Sequence, residues 1–420
     1  MSDLNVVGAA QVARVTDRGA PRRGAEQGEL DLVPGAAVAI RDGVIVAVGA
    51  TDELLAQWGD GAPTLDVSGA TVLPGLIECH SHPLFAGSRH GEYALRLAGA
   101  SLAEIAAHGG GIWASVVETR KASDDQLLEH LGMAYGKILT GGVTTLEVKS
   151  GYGLEPEEEL RQLALLQRSR ALTPMGLEIS FLGAHVVPAG RDADGYTDEV
   201  LEMLPRVIDQ GIARFHDITC ERGLFTPAQA GRLFERSRAA GIPTKAHSDA
   251  WAASDGWRTA VAGEAVSAEH LTYTPDEEIH EVGRTDTIAV LLPQAELVYM
   301  TERRANARLL IEHEVPVALA TDYCSSIHAT SLASTLAIGS PWFRITPAEA
   351  IVAGTLNAAY ALQCSADRGS IDVGKRGDLT VLAVDHPAEL CLAVGQAVVS
   401  DVIIGGEIVH SNRRTSQGAP

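Results

Sequence analysis

A parallel α/β barrel carrying a small β-rich domain is the fold class this sequence predicts, on three observations. Strand-like and helix-like segments alternate through the middle of the chain, which favours a parallel sheet with crossover helices. Eight strand-like segments fall within roughly 250 residues there, the count and span of a TIM-type (β/α)8 barrel. The two ends of the chain consist instead of short β-like runs and glycine turns.

The elements follow in chain order. Ala36 to Ile40 and Gly43 to Val48 read as short strands, and the polar Thr16 to Glu29 stretch reads as a surface loop. Candidate barrel strands are Leu76–Cys79, Val143–Val148, Leu177–Leu182, Ile212–Thr219, Ile242–Lys245, Ala265–Ala268, Thr287–Leu291 and Val315–Ala320. Amphipathic stretches such as Pro156–Arg170 and Pro227–Ala240 lie between them and predict crossover helices. Asp378 to Val384 and Val398 to Val409, with the Gly405-Gly406 turn, return to short strands. The expected organisation is a barrel over 75–361 and one β-sandwich built from 1–74 and 362–420. On pattern alone an open doubly wound sheet is the alternative.

Composition narrows the function. With 54 acidic against 33 basic residues, the net charge of −21 argues against nucleic acid or an anionic membrane as partner. It leaves room for a small anionic substrate, because a well-placed arginine overcomes a distant, screened field. The five cysteines form no CxxC pair and suit a reducing compartment. No secretory leader pattern and no apolar run near the ~18 residues of a membrane span is present. A cytoplasmic enzyme is expected.

The chemistry sits at the strand ends. His80 and His82 close the run Leu73-Pro74-Gly75-Leu76-Ile77-Glu78-Cys79, and residues i and i+2 of a strand face one side. Strand three ends in His185, strand five in His247, strand six in His270 and strand eight in Asp322. In such a barrel these ends converge on one face. Two histidines, a third histidine and an aspartate make a mixed N/O metal shell with room for water. Metal-activated water needs a base beside it, and His270 and Asp322 are the available groups. Ile212 to Phe225 contains no lysine, so the chain offers no carbamate bridge after strand four, and one metal is expected. Lys149 is expected to pair with a carboxylate.

These residues resemble the amidohydrolase superfamily, and within it the imidazolonepropionase-like branch. The superfamily likeness lies in Leu73 to Ile77 before the His-x-His pair, Ala320-Thr321-Asp322, Thr355 to Ala359, and Gly369 to Leu379. The branch likeness lies in Phe85 to Arg89, Gly109 to Ile112, Glu147 to Leu154 and Phe181 to His185. The resemblance implies His80, His82, His247 and Asp322 as ligands of one divalent ion, zinc first and iron as the alternative. It implies His270 as base, and Arg89, Tyr152 and His185 as substrate contacts. The implied reaction opens 4-imidazolone-5-propionate to N-formimino-glutamate, and a homodimer is common for such barrels.

Three positions depart from the branch pattern. A glutamate expected three residues after His247 is Ala250, a tyrosine expected after Gly99-Ala100-Ser101 is Leu102, and the loop after Asp322 reads Tyr323-Cys324-Ser325-Ser326-Ile327-His328. An amine leaving group needs a proton from a general acid, whereas sulfide, being far less basic, needs little. A hydantoin or 2-thiohydantoin propionate is therefore an alternative substrate, with Cys324 and His328 as contacts to the altered ring. A deaminase and a non-catalytic binding homologue are further alternatives. Ala250 counts against the first, and retention of the whole His/Asp set counts against the second.

Overall fold

The computed structural model describes residues 2–59, 61–100, 104–105 and 108–413. Eight parallel strands run in sequence order around a barrel: Leu76–Glu78, Val143–Lys149, Gly176–Ala184, Phe215–Cys220, Thr244–Ser248, Ser267–His270, Ile288–Leu291 and Val317–Leu319. All eight expected strands are present, with ends shifted by a few residues. The first and eighth meet only beyond their C-terminal ends, through a parallel bridge between Ser81 and Tyr323. There the His82 N–H donates to the Tyr323 carbonyl at 2.8 Å. Barrel closure and the chemistry-bearing residues thus share one place.

Local sequence explains the crossovers. Pro156–Ser169 starts with proline at its first turn, where no N–H is missed, and buries Leu163 and Leu166. Pro227–Ala239 begins with a capping box between Thr226 and Gln229 and buries Leu233 and Phe234. Strand four starts at Phe215 rather than Ile212, because Gly211 in the left-handed region (φ +65°) ends the preceding helix.

Both chain ends build two sheets. One has the order Val44–Ala50, Ala36–Arg41, Leu4–Val7, Thr64–Asp66; the other runs Glu407–Ser411, Val399–Ile404, Leu379–Leu382, Thr71–Pro74, Gln11–Ala13, Leu32–Pro34. Thr71–Pro74 pairs antiparallel with Leu379–Leu382, which joins the two ends of the chain. Val6, Val38, Ile40, Val72, Val381 and Ile403 fill one apolar core between the sheets.

The Thr16 to Glu29 stretch lies at the surface as expected, but two of its side chains reach inward. Gln27 is buried, its side chain bonding both the N–H (3.1 Å) and the carbonyl (3.2 Å) of Val317 in strand eight. Arg22 is buried as well, its N–H donating to Asn357 Oδ1 at 2.8 Å. All five cysteines are free and buried. Among the described residues no helix is long and apolar enough to cross a membrane.

Candidate metal centre and active-site cavity

The site begins at the end of strand one. His80 and His82 are buried, and their Nε2 atoms lie 3.3 Å apart. From strand five, His247 Nε2 comes to 3.3 Å from His82 Nε2. Beyond strand eight, Asp322 Oδ1 stands 3.6 Å from both His80 Nε2 and His82 Nε2. Donors about 2.0–2.2 Å from a tetrahedral ion lie roughly 3.3–3.6 Å from one another. Burial holds His80 and His82 well below the usual imidazole range, so each ring is neutral and keeps one nitrogen lone pair to offer a metal. Neutral imidazole nitrogens beside a carboxylate are the donor types a divalent ion takes, so the set fits a single such ion.

One layer below, His247 Nδ1 donates to Asp217 Oδ1 at 3.0 Å, which aims Nε2 at the cluster. Burial opposes protonation of His247, but the Asp217 charge outweighs it and raises the ring's pKa. Lys149 Nζ lies 2.7 Å from Asp217 and 2.8 Å from Glu147, and Lys245 Nζ lies 2.7 Å from the same Glu147. All four side chains are fully buried. Lys149 thus pairs with carboxylates, as expected, and it pins the aspartate that orients His247.

Backbone strain marks the same face. His270 ends strand six at φ +75° and Asp322 sits at φ +54°, left-handed values that cost a non-glycine residue about 1–3 kcal/mol and cluster at functional sites. The His270 ring centroid lies 5.7 Å from that of His80 and 5.4 Å from that of His247. Burial keeps His270 neutral and pushes the Asp322 carboxyl up to about 7.

A small cavity of about 70 Å³ opens above the cluster, lined by His82, Arg89, Tyr152, His185, His270 and Asp322. His185 stacks on His82 at 5.2 Å between centroids and 14° between planes. Its Nδ1 donates to the Gly151 carbonyl at 2.9 Å, and burial lowers it to about 3, so Nε2 is an acceptor. Gly151 is needed there: at φ +112° an added Cβ would meet His185 Nδ1 and Leu182 at 3.0 Å. Tyr152, raised by burial and hydrogen-bonded to Ser325, lines the wall.

Arg89 reaches the cavity, but its guanidinium is not free. Nε lies 2.9 Å and 3.0 Å from the two Glu92 oxygens, and Nη2 donates to Oε2 at 2.8 Å. Only the Nη1 side, 3.4 Å from Ser326 Oγ, faces elsewhere. Cys324 lines the wall, its thiol pushed up to about 11 by burial. His328 is not brought to the cavity. The Cys324 N–H bonds the Ile327 carbonyl at 2.9 Å, a tight turn that leaves His328 exposed against Phe85, 6.3 Å between ring centroids. Leu102 lies outside the described residues.

The departure at Ala250 has a structural counterpart. Ala250 lines the cavity, and its N–H donates to Glu221 Oε2 at 2.6 Å. Glu221 also accepts from Trp251 N, Ala252 N and Ser254 Oγ at 3.0–3.2 Å. One carboxylate therefore shapes the whole 250–254 loop and sets Trp251, which packs edge-on against Tyr299 at 4.6 Å. Asp217, Glu221, Trp251 and Tyr299 all escaped the sequence reading. Asp217 and Glu221 could have been found as acids in or just beyond strand four, as the histidines were.

An amidohydrolase family model matches residues 71–409, and a bacterial imidazolonepropionase-like composite domain matches residues 36–60. The chain is 40% identical over 389 residues to an imidazolonepropionase of Geobacillus kaustophilus, covering 91% of each protein. It is 39% identical over 415 residues to one of Symbiobacterium thermophilum, covering 97% of each. Among solved structures, an adenosine deaminase from Xanthomonas campestris with bound zinc superposes with a TM-score of 0.69 at 21% identity, over 97% of this chain and 92% of that one.

Proposed function

The chain belongs to the amidohydrolase family, and from that premise we propose that it opens 4-imidazolone-5-propionate with water to give N-formimino-glutamate. It is a hydrolase acting on C–N bonds. The substrate assignment is supported by relatives named imidazolonepropionase at 39–40% identity over nearly their whole length. The sulfide-releasing alternative has no such support.

In this reading one divalent ion, zinc first and iron second, is held by His80, His82, His247 and Asp322. When bound, the ion supplies Lewis-acid polarisation and makes water acidic enough to attack at neutral pH. His270 is the base. It is neutral, and a ring nitrogen lies within 4.8 Å of the ligand atoms of His80 and His247. Asp322 stands at the same point, beside His80 and His82, so His270 and Asp322 together carry the proton from water to the leaving nitrogen. His185 Nε2 and the Tyr152 hydroxyl hydrogen-bond the ring heteroatoms, and Arg89 Nη1 meets the propionate. The barrel over 75–361 carries these residues, and 1–74 with 362–420 buttresses it.

The observation that carries the reading is the chain of close donors on the cavity floor: His82 Nε2 lies 3.3 Å from both His80 Nε2 and His247 Nε2, and Asp322 Oδ1 lies 3.6 Å from His80 and His82. Incubation of the zinc-loaded protein with imidazolone propionate in ¹⁸O-water tests it. We expect N-formimino-glutamate carrying one ¹⁸O. An unchanged substrate pool against a no-enzyme control contradicts the reading.

A further inference from the structure

If the functional reading above holds, the substrate's carboxylate arm needs a cationic partner in the cavity wall. Arg89 is committed to Glu92 through three contacts of 2.8–3.0 Å. The pair is close to neutral as seen from the cavity, and an incoming carboxylate would also face the Glu92 charge. Arg89 alone is therefore a poor anion receptor.

A second arginine changes that balance. Arg96 lies one helical turn from Glu92, its side chain 7% exposed, with Nη2 3.9 Å from Glu92 Oε2. Among the described residues neither its Nε nor its Nη2 has a hydrogen-bond partner. Its guanidinium lies 4.6 Å over the ring of Tyr299, and Tyr299 lines the cavity and bonds Ser326 Oγ at 2.6 Å. The same Ser326 hydroxyl receives Arg89 Nη1. Among the described residues these two buried guanidinium groups thus share one carboxylate. A buried positive charge without full compensation is costly unless an anion completes it.

We propose that Arg89, Arg96 and Glu92 form one carboxylate-binding unit, in which Arg89 contacts the substrate arm and Arg96 is the positioning residue that keeps the unit net positive. Glu92 fixes the Arg89 fork, so that only the Nη1 side is offered to the arm. Tyr299 separates Arg96 from the ligand, so Arg96 acts through the field and not through contact.

The test compares 3-(imidazol-4-yl)propionate with its primary amide as ligands of the zinc-loaded protein, by calorimetry. Neither requires turnover, so failure of the imidazolone reading shows in the wild-type assay and failure of this proposal shows in the acid-to-amide ratio. We expect the wild type to prefer the acid. Arg96→Met weakens the acid by about tenfold or more, as removal of a unit charge several ångströms away across a poorly solvated wall requires. The amide changes by less than about twofold, and Arg96→Lys restores most of the acid affinity because it restores the charge. Equal weakening of acid and amide, or a wild type that does not distinguish them, overturns the proposal. Unchanged zinc content and melting temperature in Arg96→Lys separate a charge effect from damage to the fold.

Discussion

Asp217→Asn tests whether the layer beneath the cluster sets its metal affinity. Asp217 makes two contacts at once: Oδ1 lies 3.0 Å from His247 Nδ1 and Oδ2 lies 2.7 Å from Lys149 Nζ. The asparagine oxygen still accepts from His247, but the ring loses the negative partner that raises its basicity. Loss of a carboxylate behind a ligating histidine typically weakens metal binding by about 10–100-fold, or about 1.4–2.7 kcal/mol. Lys149 meanwhile loses one of its two contact carboxylates, and breaking a buried pair costs about 3–5 kcal/mol. The low end applies, since Glu147 and Glu269 remain opposite Lys149 and Lys245. Zinc affinity is read by competition with a chelating dye, and stability by thermal melting of the metal-free protein. Asp217→Asn combined with Lys149→Met should recover stability, because the underpaired cation is gone, while zinc binding stays weak. A zinc affinity equal to wild type in Asp217→Asn would refute the reasoning. Recovery of both properties in the double variant would mean that Asp217 serves the lysine alone.

Two further expectations follow. Glu221→Gln places an amide NH₂ among the main-chain donors of residues 250–252, and loss of charge-assisted bonds worth about 1.5–3 kcal/mol should lower kcat/KM at least about tenfold while zinc content holds; an unchanged kcat/KM would show that the loop holds its shape without the carboxylate. His216 is buried, with Nδ1 2.7 Å from Ser237 Oγ, and burial lowers it from 6.5 to about 4. Its neutral form is favoured by the fold, so its contribution is complete above pH 6.5 and is lost as pH falls towards 4, about 3 kcal/mol in all. His216→Phe should flatten the pH dependence of the urea midpoint across that window, and an unaltered slope would count against the assignment.

The barrel was legible because strand-like and helix-like segments alternate through the middle of the chain, and the strand ends pointed to the site because chemical side chains recur there. His80, His82, His247, Asp322 and His270 could be placed together from position alone. Their supports could not. Asp217 lies inside strand four, and its role depends on Lys149 arriving from strand two. Arg89 read as an open fork although Glu92, three residues on, is a local i,i+3 partner that closes it. His328 follows a turn whose direction is set by the Cys324–Ile327 hydrogen bond, which spacing does not reveal. Gln27 looked like loop polarity, yet it completes the main-chain bonding of strand eight from some 290 positions away.

The most direct test of the account is the initial rate of imidazolone propionate loss, followed by ultraviolet absorbance, for metal-free and zinc-loaded protein side by side with the corresponding hydantoin and 2-thiohydantoin propionates. The account predicts turnover of the imidazolone alone, absent from the chelated protein and restored by one equivalent of zinc. Activity that survives chelation, or that appears on the hydantoin or thiohydantoin in place of the imidazolone, contradicts it.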